Sequence, residues 1–244
     1  MEKVLIVGAT SGIGRRIAEM YASRPDVLVG IMGRRAELLQ SLSDMFPGRC
    51  VPVSCDVSVS TEALTEALEQ AAMHLGGVVD RVFLAAGTGD VNPDLDYSLE
   101  RRALLTNVVG WTCVVDWALA RFRQQGCGHL AVITSVGGLR GQGGAAAYSA
   151  TKAYQINYVE GIRCWAHHFA PFVQITEIRP GFVDTDMAKG EGLFWVVPLE
   201  KACRQIMAGL DRKQDLIYVS RRWRWVAALW KRLPLGVLLR MRVG

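Results

Sequence analysis

The chain contains no uninterrupted apolar run of about 18 residues, so the sequence predicts no membrane-spanning helix. It has no Cys-x-x-Cys pair. Its six cysteines, Cys50, Cys55, Cys113, Cys127, Cys164 and Cys203, stand apart from one another. The four histidines, His74, His129, His167 and His168, have no ligand spacing to a cysteine or a carboxylate pair, so no metal site is expected. The first apolar run, Val4 to Val7 after Met1-Glu2-Lys3, is too short for a signal-peptide core. Reduced thiols and a cytoplasmic setting follow as expectations. Lysine is scarce, with 6 against 22 arginines, and no acid occurs after Asp215.

Half of the 244 residues are apolar, which excludes global disorder and suits one domain. The net charge of +5 is unevenly placed. Seven bases, Arg221, Arg222, Arg224, Lys231, Arg232, Arg240 and Arg242, follow the last acid and leave a body with 21 bases against 23 acids. A basic surface that wraps nucleic acid is therefore not expected.

Short β-branched runs alternate with longer amphipathic ones. Strands are predicted at Lys3–Val7, Val27–Ile31, Cys50–Ser54, Val79–Ala85, His129–Thr134, Phe172–Ile178 and Leu216–Val219. Helices are predicted over 12–23, 36–45, 61–75, 99–124, 148–168 and 198–210. Runs such as Val4-Leu5-Ile6-Val7 are apolar on both faces, as central parallel strands covered on each side must be. The pattern predicts a single doubly wound α/β domain over residues 1–220, with a parallel sheet of about seven strands and helices on both faces. A basic amphipathic arm over residues 221–244 follows it.

Between the first strand and helix lies Gly8-Ala9-Thr10-Ser11-Gly12-Ile13-Gly14. Glycines at a strand–turn–helix junction let backbone approach a pyrophosphate, and the helix start offers free N–H groups and a positive dipole end. The spacing G-x-x-x-G-x-G departs from the common G-x-G-x-x-G. The second strand ends at Gly33-Arg34-Arg35, where an NAD site would carry an acid. Two guanidinium groups suit the 2′-phosphate of NADP instead, with Arg34 favoured over Arg35. Asp56, just past the third strand, is placed to accept from an adenine amino group, or else serves as a turn aspartate.

Tyr148 and Lys152 are four residues apart on one helix face. A nearby ammonium would lower the phenol pKa and let Tyr148 pass a proton near neutral pH. Lys152 is the only lysine between Lys3 and Lys189. Ser135 lies at the C-terminal end of a strand, where open α/β sheets keep reactive groups.

Together these segments resemble the short-chain dehydrogenase/reductase family over roughly residues 1–220. The residues that carry the resemblance are Gly8 to Gly14, Asp56-Val57, Ala86-Gly87, Asn107, Ser135, Tyr148-Ser149-Ala150-Thr151-Lys152 and Pro180-Gly181-Phe182-Val183-Asp184-Thr185. The resemblance implies a Rossmann-type fold, NADP(H) as cofactor, and a small-molecule carbonyl or alcohol substrate. It implies Tyr148 as general acid in carbonyl reduction and Lys152 as the group that binds the nicotinamide ribose and lowers the Tyr148 pKa. Ser135 would orient the carbonyl. Asn107 would bend its helix and hold a water linking Lys152 to solvent. Val183 and Thr185 would contact the carboxamide. Two departures stand out: Leu84-Ala85-Ala86-Gly87 replaces the family's Asn-Asn-Ala-Gly, and Val7 replaces a Thr. Both family residues brace backbone, so neither change removes a reacting group. A non-catalytic NADP(H)-binding regulator on the same fold is the alternative, but it has no need of Tyr148.

The segment from Asp186 to Val197 is the family's substrate lid. Here it holds Leu193-Phe194-Trp195-Val196-Val197 after Gly190 and Gly192, which suits either a flap over an apolar substrate or packing on the next helix. In the arm, Trp223, Val226, Trp230 and Leu233 share one helical face, with bases opposite. That face is expected either in a membrane interface or docked on the body or a second subunit. Trp111, Cys113, Val114, Trp117, Ile156, Val159 and Trp165 spread apolar surface beyond one face of the two long helices. A second subunit is expected to cover it, making a homodimer or homotetramer.

Overall fold

The computed structural model describes residues 1–187 and 194–240. Seven parallel strands form one sheet: β1 (Glu2–Val7), β2 (Val27–Gly33), β3 (Cys50–Ser54), β4 (Arg81–Leu84), β5 (Gly128–Ile133), β6 (Val173–Pro180) and β7 (Leu216–Val219), in the order β3-β2-β1-β4-β5-β6-β7. Val7 stands level with Met32 on one side and Leu84 on the other. Strand order reverses between β1 and β4, so the connections leaving their C-terminal ends run to opposite sides and leave a crevice there, the usual ligand position in such sheets.

Helices α1 (Gly12–Ala22), α2 (Ala36–Met45) and α7 (Leu199–Asp211) cover one face; α3 (Thr61–His74), α5 (Trp111–Gln125) and α6 (Ala146–Phe169) cover the other. Each face has its own apolar core, so the central strands are buried on both sides. That is the reason β1 reads as a continuous apolar run rather than an alternating one. Ser60 caps α3 by accepting from the Ala63 N–H.

The predicted helix over 99–124 is longer and is not uniform. It runs as α4 (Tyr97–Leu104), a π-helical turn (Leu105–Gly110) and α5, with Asn107 inside the π turn. Tyr97–Gln125 is long and apolar enough to cross a membrane by composition, but Trp111, Val114 and Phe122 pack into the core beside the sheet. Val159, Trp111, Val114 and Trp117 are buried within this one chain. They therefore need no second subunit, contrary to expectation. Cys113, Ile156 and Trp165 remain half-buried.

The arm forms α8 (Trp223–Arg232) and a short turn α9 (Leu235–Leu238). Its predicted face does not await a partner. Trp223 is 4% exposed. It lies against Gly181, where even an added Cβ would come within 2.0 Å of the indole. Phe182 and Phe194 pack on the same indole, with ring centroids 5.6 and 5.3 Å away. Of the expected sites for this face, docking on the body is therefore the one adopted, within the chain's own crevice. Of the predicted lid, Gly190, Gly192 and Leu193 lie outside the described residues, as does Arg242 of the arm.

Candidate active site

One cavity of about 1090 Å³ opens at the C-terminal edge of the sheet. Gly8, Thr10 to Gly14, Arg34, Arg35, Asp56, Val57, Ala86, Gly87, Ser135, Tyr148, Lys152, Pro180, Gly181, Val183 and Thr185 line it, while Ala9 and Asn107 are buried behind its wall.

The cofactor end is built from backbone. Gly8 has φ +96°, and a Cβ there would stand 2.5 Å from the Ala86 nitrogen, so the strand ends meet only because the residue is glycine. The Gly8 and Ala9 N–H groups both donate to the Met32 carbonyl, at 2.8 and 2.9 Å, and those of Ala85 and Ala86 both donate to the Val7 carbonyl at the same distances. Main-chain bonds thus brace the turn where Val7 and Ala85 replace polar family residues. Ser11 precedes α1 without a side-chain cap, leaving the helix start free to take an anion. Thr185 packs over Gly12 from across the crevice, and its hydroxyl donates to the Val183 carbonyl at 3.2 Å.

At the ends of β2 and β3, Arg34 and Asp56 face each other at 3.5 Å, and Arg35 Nη2 donates to Thr10 Oγ1 at 2.9 Å. Asp56 Oδ1 also accepts from the Ser58 N–H and hydroxyl. Asp56 therefore closes a turn, with its Oδ2 toward Arg34 at the wall of the crevice. Two guanidinium groups beside a single carboxylate leave net positive charge here, which fits a phosphate. Free helix-start N–H groups, a backbone cradle and this cationic end together fit a phosphorylated dinucleotide.

The chemical end is built from α6 and the end of β5. Thr134 Oγ1 donates to Glu177 Oε1 at 2.7 Å, tying β5 to β6 beside Ser135. Ser135 Oγ accepts from the Gly137 N–H at 3.0 Å. Tyr148 and Lys152 rise from the first turns of α6 into the cavity. Burial pushes the Tyr148 phenol above its ordinary 10, opposed by its hydrogen bond with Ser135. This corrects the expectation of a phenol lowered by Lys152. The physical reason is desolvation of the phenol itself, and the same enclosure pulls Lys152 down to about 7.

Lys152 Nζ donates to the Ile133 carbonyl at 3.2 Å and to Gln155 Oε1 at 2.9 Å. Gln155 Nε2 in turn donates to the Asn107 carbonyl at 2.8 Å. Asn107 Nδ2 donates to Thr151 Oγ1 and the Thr88 carbonyl, and Asn107 Oδ1 accepts from the Thr88 N–H. Asn107 sits inside the π-helical turn of its helix. Its carbonyl is joined to Lys152 through the amide side chain of Gln155. Gln155 is fully buried and was missed by sequence reasoning. The available signal was a polar residue three positions after Lys152, on the same helix face.

The outer end is apolar and aromatic. Phe182, Met187, Phe194, Trp223, Val226 and Trp230 line it, with the Asp90–Arg102 ion pair at 2.6 Å on the opposite rim. Phe194 packs on Trp223 of the arm and lines the cavity. Sequence reasoning identified the arm but not its use as a cavity wall.

The short chain dehydrogenase family matches residues 2–193. An uncharacterized oxidoreductase of Myxococcus xanthus is 34% identical over 188 residues, covering 75% of this chain and 72% of the relative. One from Mycobacterium tuberculosis is 30% identical over 241 residues, covering 94% and 93%. Among solved structures, a short-chain dehydrogenase from Sphingobium yanoikuyae in complex with NADPH superimposes with a TM-score of 0.80 at 22% identity, covering 99% of this chain and 97% of that one.

Proposed function

The chain belongs to the short chain dehydrogenase family of oxidoreductases, and from that premise we propose that it is an NADPH-dependent reductase of an apolar, lipid-like carbonyl compound, or the dehydrogenase of the matching alcohol. The observation that carries this reading is the meeting of Tyr148, Ser135 and Lys152 in one cavity, with a cationic, glycine-built end and an aromatic end on either side. The NADPH complex of the Sphingobium protein lends support to the cofactor.

NADP(H) would lie with its diphosphate on Gly8 to Gly14, its 2′-phosphate between Arg34 and Arg35, and its nicotinamide against Pro180, Gly181, Val183 and Thr185. The cofactor supplies hydride chemistry when bound. Tyr148 delivers a proton to the carbonyl oxygen, or takes one from the alcohol. Ser135 donates a hydrogen bond to the same oxygen and fixes its place. Lys152, held from behind by Gln155 and Asn107, binds the ribose and adjusts the phenol. Burial keeps the Tyr148 phenol protonated at neutral pH, so the proton is in place when a carbonyl compound arrives. The aromatic end excludes water and selects apolar substrates. The chain acts as a homodimer or homotetramer through α5 and α6, which still leave Ile156 and Trp165 half-buried. Six unpaired cysteines support a reducing, cytoplasmic setting.

The test is NADPH oxidation by the purified full chain against a panel of hydrophobic ketones and aldehydes. Turnover of at least one is expected, and Tyr148→Phe should cut it about 10²-fold or more while NADPH still binds. Near-normal turnover in that variant would refute the role given to Tyr148.

A further inference from the structure

The helix that walls the cavity has a second apolar stripe, pointing away from it. On the inner side, Trp223 and Ala227 are buried, and Val226 and Trp230 face the cavity. On the outer side, Trp225 is 79% exposed and Leu229 is 66% exposed. Leu235 and Leu239 continue this exposed apolar surface past Pro234. Packing on the body explains the inner stripe and leaves the outer one without a reason. A tryptophan and three leucines held in water over so short a segment mark a contact surface.

The charges around this stripe are of one sign. On a helical wheel Arg221 and Arg232 flank Trp225 on one side, and Arg222 flanks Leu229 on the other. Arg224, Lys231 and Arg240 are exposed nearby. Among the described residues none of these six bases pairs with a carboxylate, and the arm itself has no acid. A partner that accepts both parts of the surface must offer apolar depth behind a layer of negative charge. An anionic bilayer does so without requiring a complementary shape. A second copy of this chain would have to build a stable interface on four apolar side chains, well short of the roughly 800 Å² per partner that such contacts bury.

We propose that the outer face of α8, with α9, docks on an anionic lipid bilayer, Trp225 and Leu229 entering the interfacial layer and the flanking arginines meeting headgroup phosphates. Tryptophan suits that depth because its ring is apolar and its N–H is polar. Since the inner face of the same helix walls the cavity, docking sets the aromatic mouth at the membrane. A carbonyl compound dissolved in lipid then enters past Trp230 and Phe194 without crossing water. The entry route rests on the reductase reading above; the docking surface does not.

The experiment is co-sedimentation of the full chain with phosphatidylcholine vesicles, with and without phosphatidylglycerol. Binding is expected only to vesicles containing phosphatidylglycerol, and high salt should weaken it. Trp225→Ser with Leu229→Ser should abolish binding while leaving the melting temperature and NADPH affinity as in the wild type, because both side chains sit in water. Arg222→Glu with Arg232→Glu should weaken binding about tenfold or more. Failure of the wild type to bind these vesicles overturns the proposal, as does equal binding by the Trp225/Leu229 variant. So does an apolar-face variant whose only effect is a smaller assembly in lipid-free solution. Ketone-dependent NADPH oxidation in solution reports on the reductase reading alone, so the two can fail separately.

Discussion

Replacing Lys152 by methionine should change how stability depends on pH, in a direction fixed by burial of the ammonium. Lys152 is 5% exposed, and its pKa falls from the ordinary 10.5 to about 7. Between those values the unfolded chain holds a proton that the native chain lacks, so raising pH favours the native state. Below pH 7 both states are protonated and the native state carries the full cost of a buried charge. At pH 7 that cost is about 4 kcal/mol, and at pH 9 about 2 kcal/mol, from the two pKa values and 1.36 kcal/mol per unit. Methionine fills a similar volume and does not titrate. It also leaves the Ile133 carbonyl and Gln155 Oε1 without their donor, at a cost of about 1–3 kcal/mol each. The absolute change at neutral pH is therefore a difference of similar numbers, and the slope is the decisive quantity. Urea unfolding of both proteins from pH 6 to 9 should show the wild type gaining about 2–3 kcal/mol relative to Lys152→Met. All other titrating groups are common to both and cancel. Parallel stability curves would refute the reasoning, because they would mean that Lys152 keeps its ordinary pKa in the native protein.

Two further outcomes follow from the site. Arg34→Asp should weaken NADPH binding about tenfold or more and narrow its advantage over NADH, since a charge-assisted pair to phosphate is lost and a repulsion gained; fluorescence titration of both cofactors gives the answer, and equal wild-type affinities for NADPH and NADH would sink it. Gln155→Leu takes an acceptor from the Lys152 ammonium, so the lysine pKa should fall further and the pH profile of turnover should move down by about one unit. Gln155→Glu should move it the other way, and superimposable profiles for all three proteins would remove Gln155 from any positioning role.

The sheet was legible because each strand must be apolar on both faces and each helix on one, and those two periods appear directly in the sequence. Cys50–Ser54, Ala36–Met45 and Leu216–Val219 match to the residue. Elements set by side-chain hydrogen bonds were harder to read. The π turn around Asn107 depends on bonds to Thr88, Thr151 and Gln155, up to 48 residues away, and no local pattern announces it. The cofactor end was legible for a related reason: glycines with a fixed backbone duty leave a spacing, and Arg34-Arg35 stand where an acid is otherwise expected. The state of the proton-handling pair was not legible. Sequence places Tyr148 and Lys152 on one face and invites the inference of an ammonium lowering a phenol. Burial acts on both groups at once and drives both toward their neutral forms. Only three-dimensional enclosure decides between the two effects.

The arm shows how a correct pattern can still yield an incomplete inference. Trp223, Val226 and Trp230 do share a face, and that face does need cover. The sequence offered lipid, the body or a second subunit as the cover and could not choose among them, because a helical wheel shows directions without distances. The structure adds the distance: Gly181 has no side chain, so the indole of Trp223 can lie on its backbone and close the crevice from within the same chain. Once the inner face is accounted for, Trp225 and Leu229 on the outer face become the part that requires explanation. Ten residues then serve two surfaces. The inner one shapes the space beside Tyr148, and the outer one is free to choose what that space opens onto. Substitutions on the two faces should therefore separate: those on the inner face alter which carbonyl compounds fit, and those on the outer face alter where the protein resides.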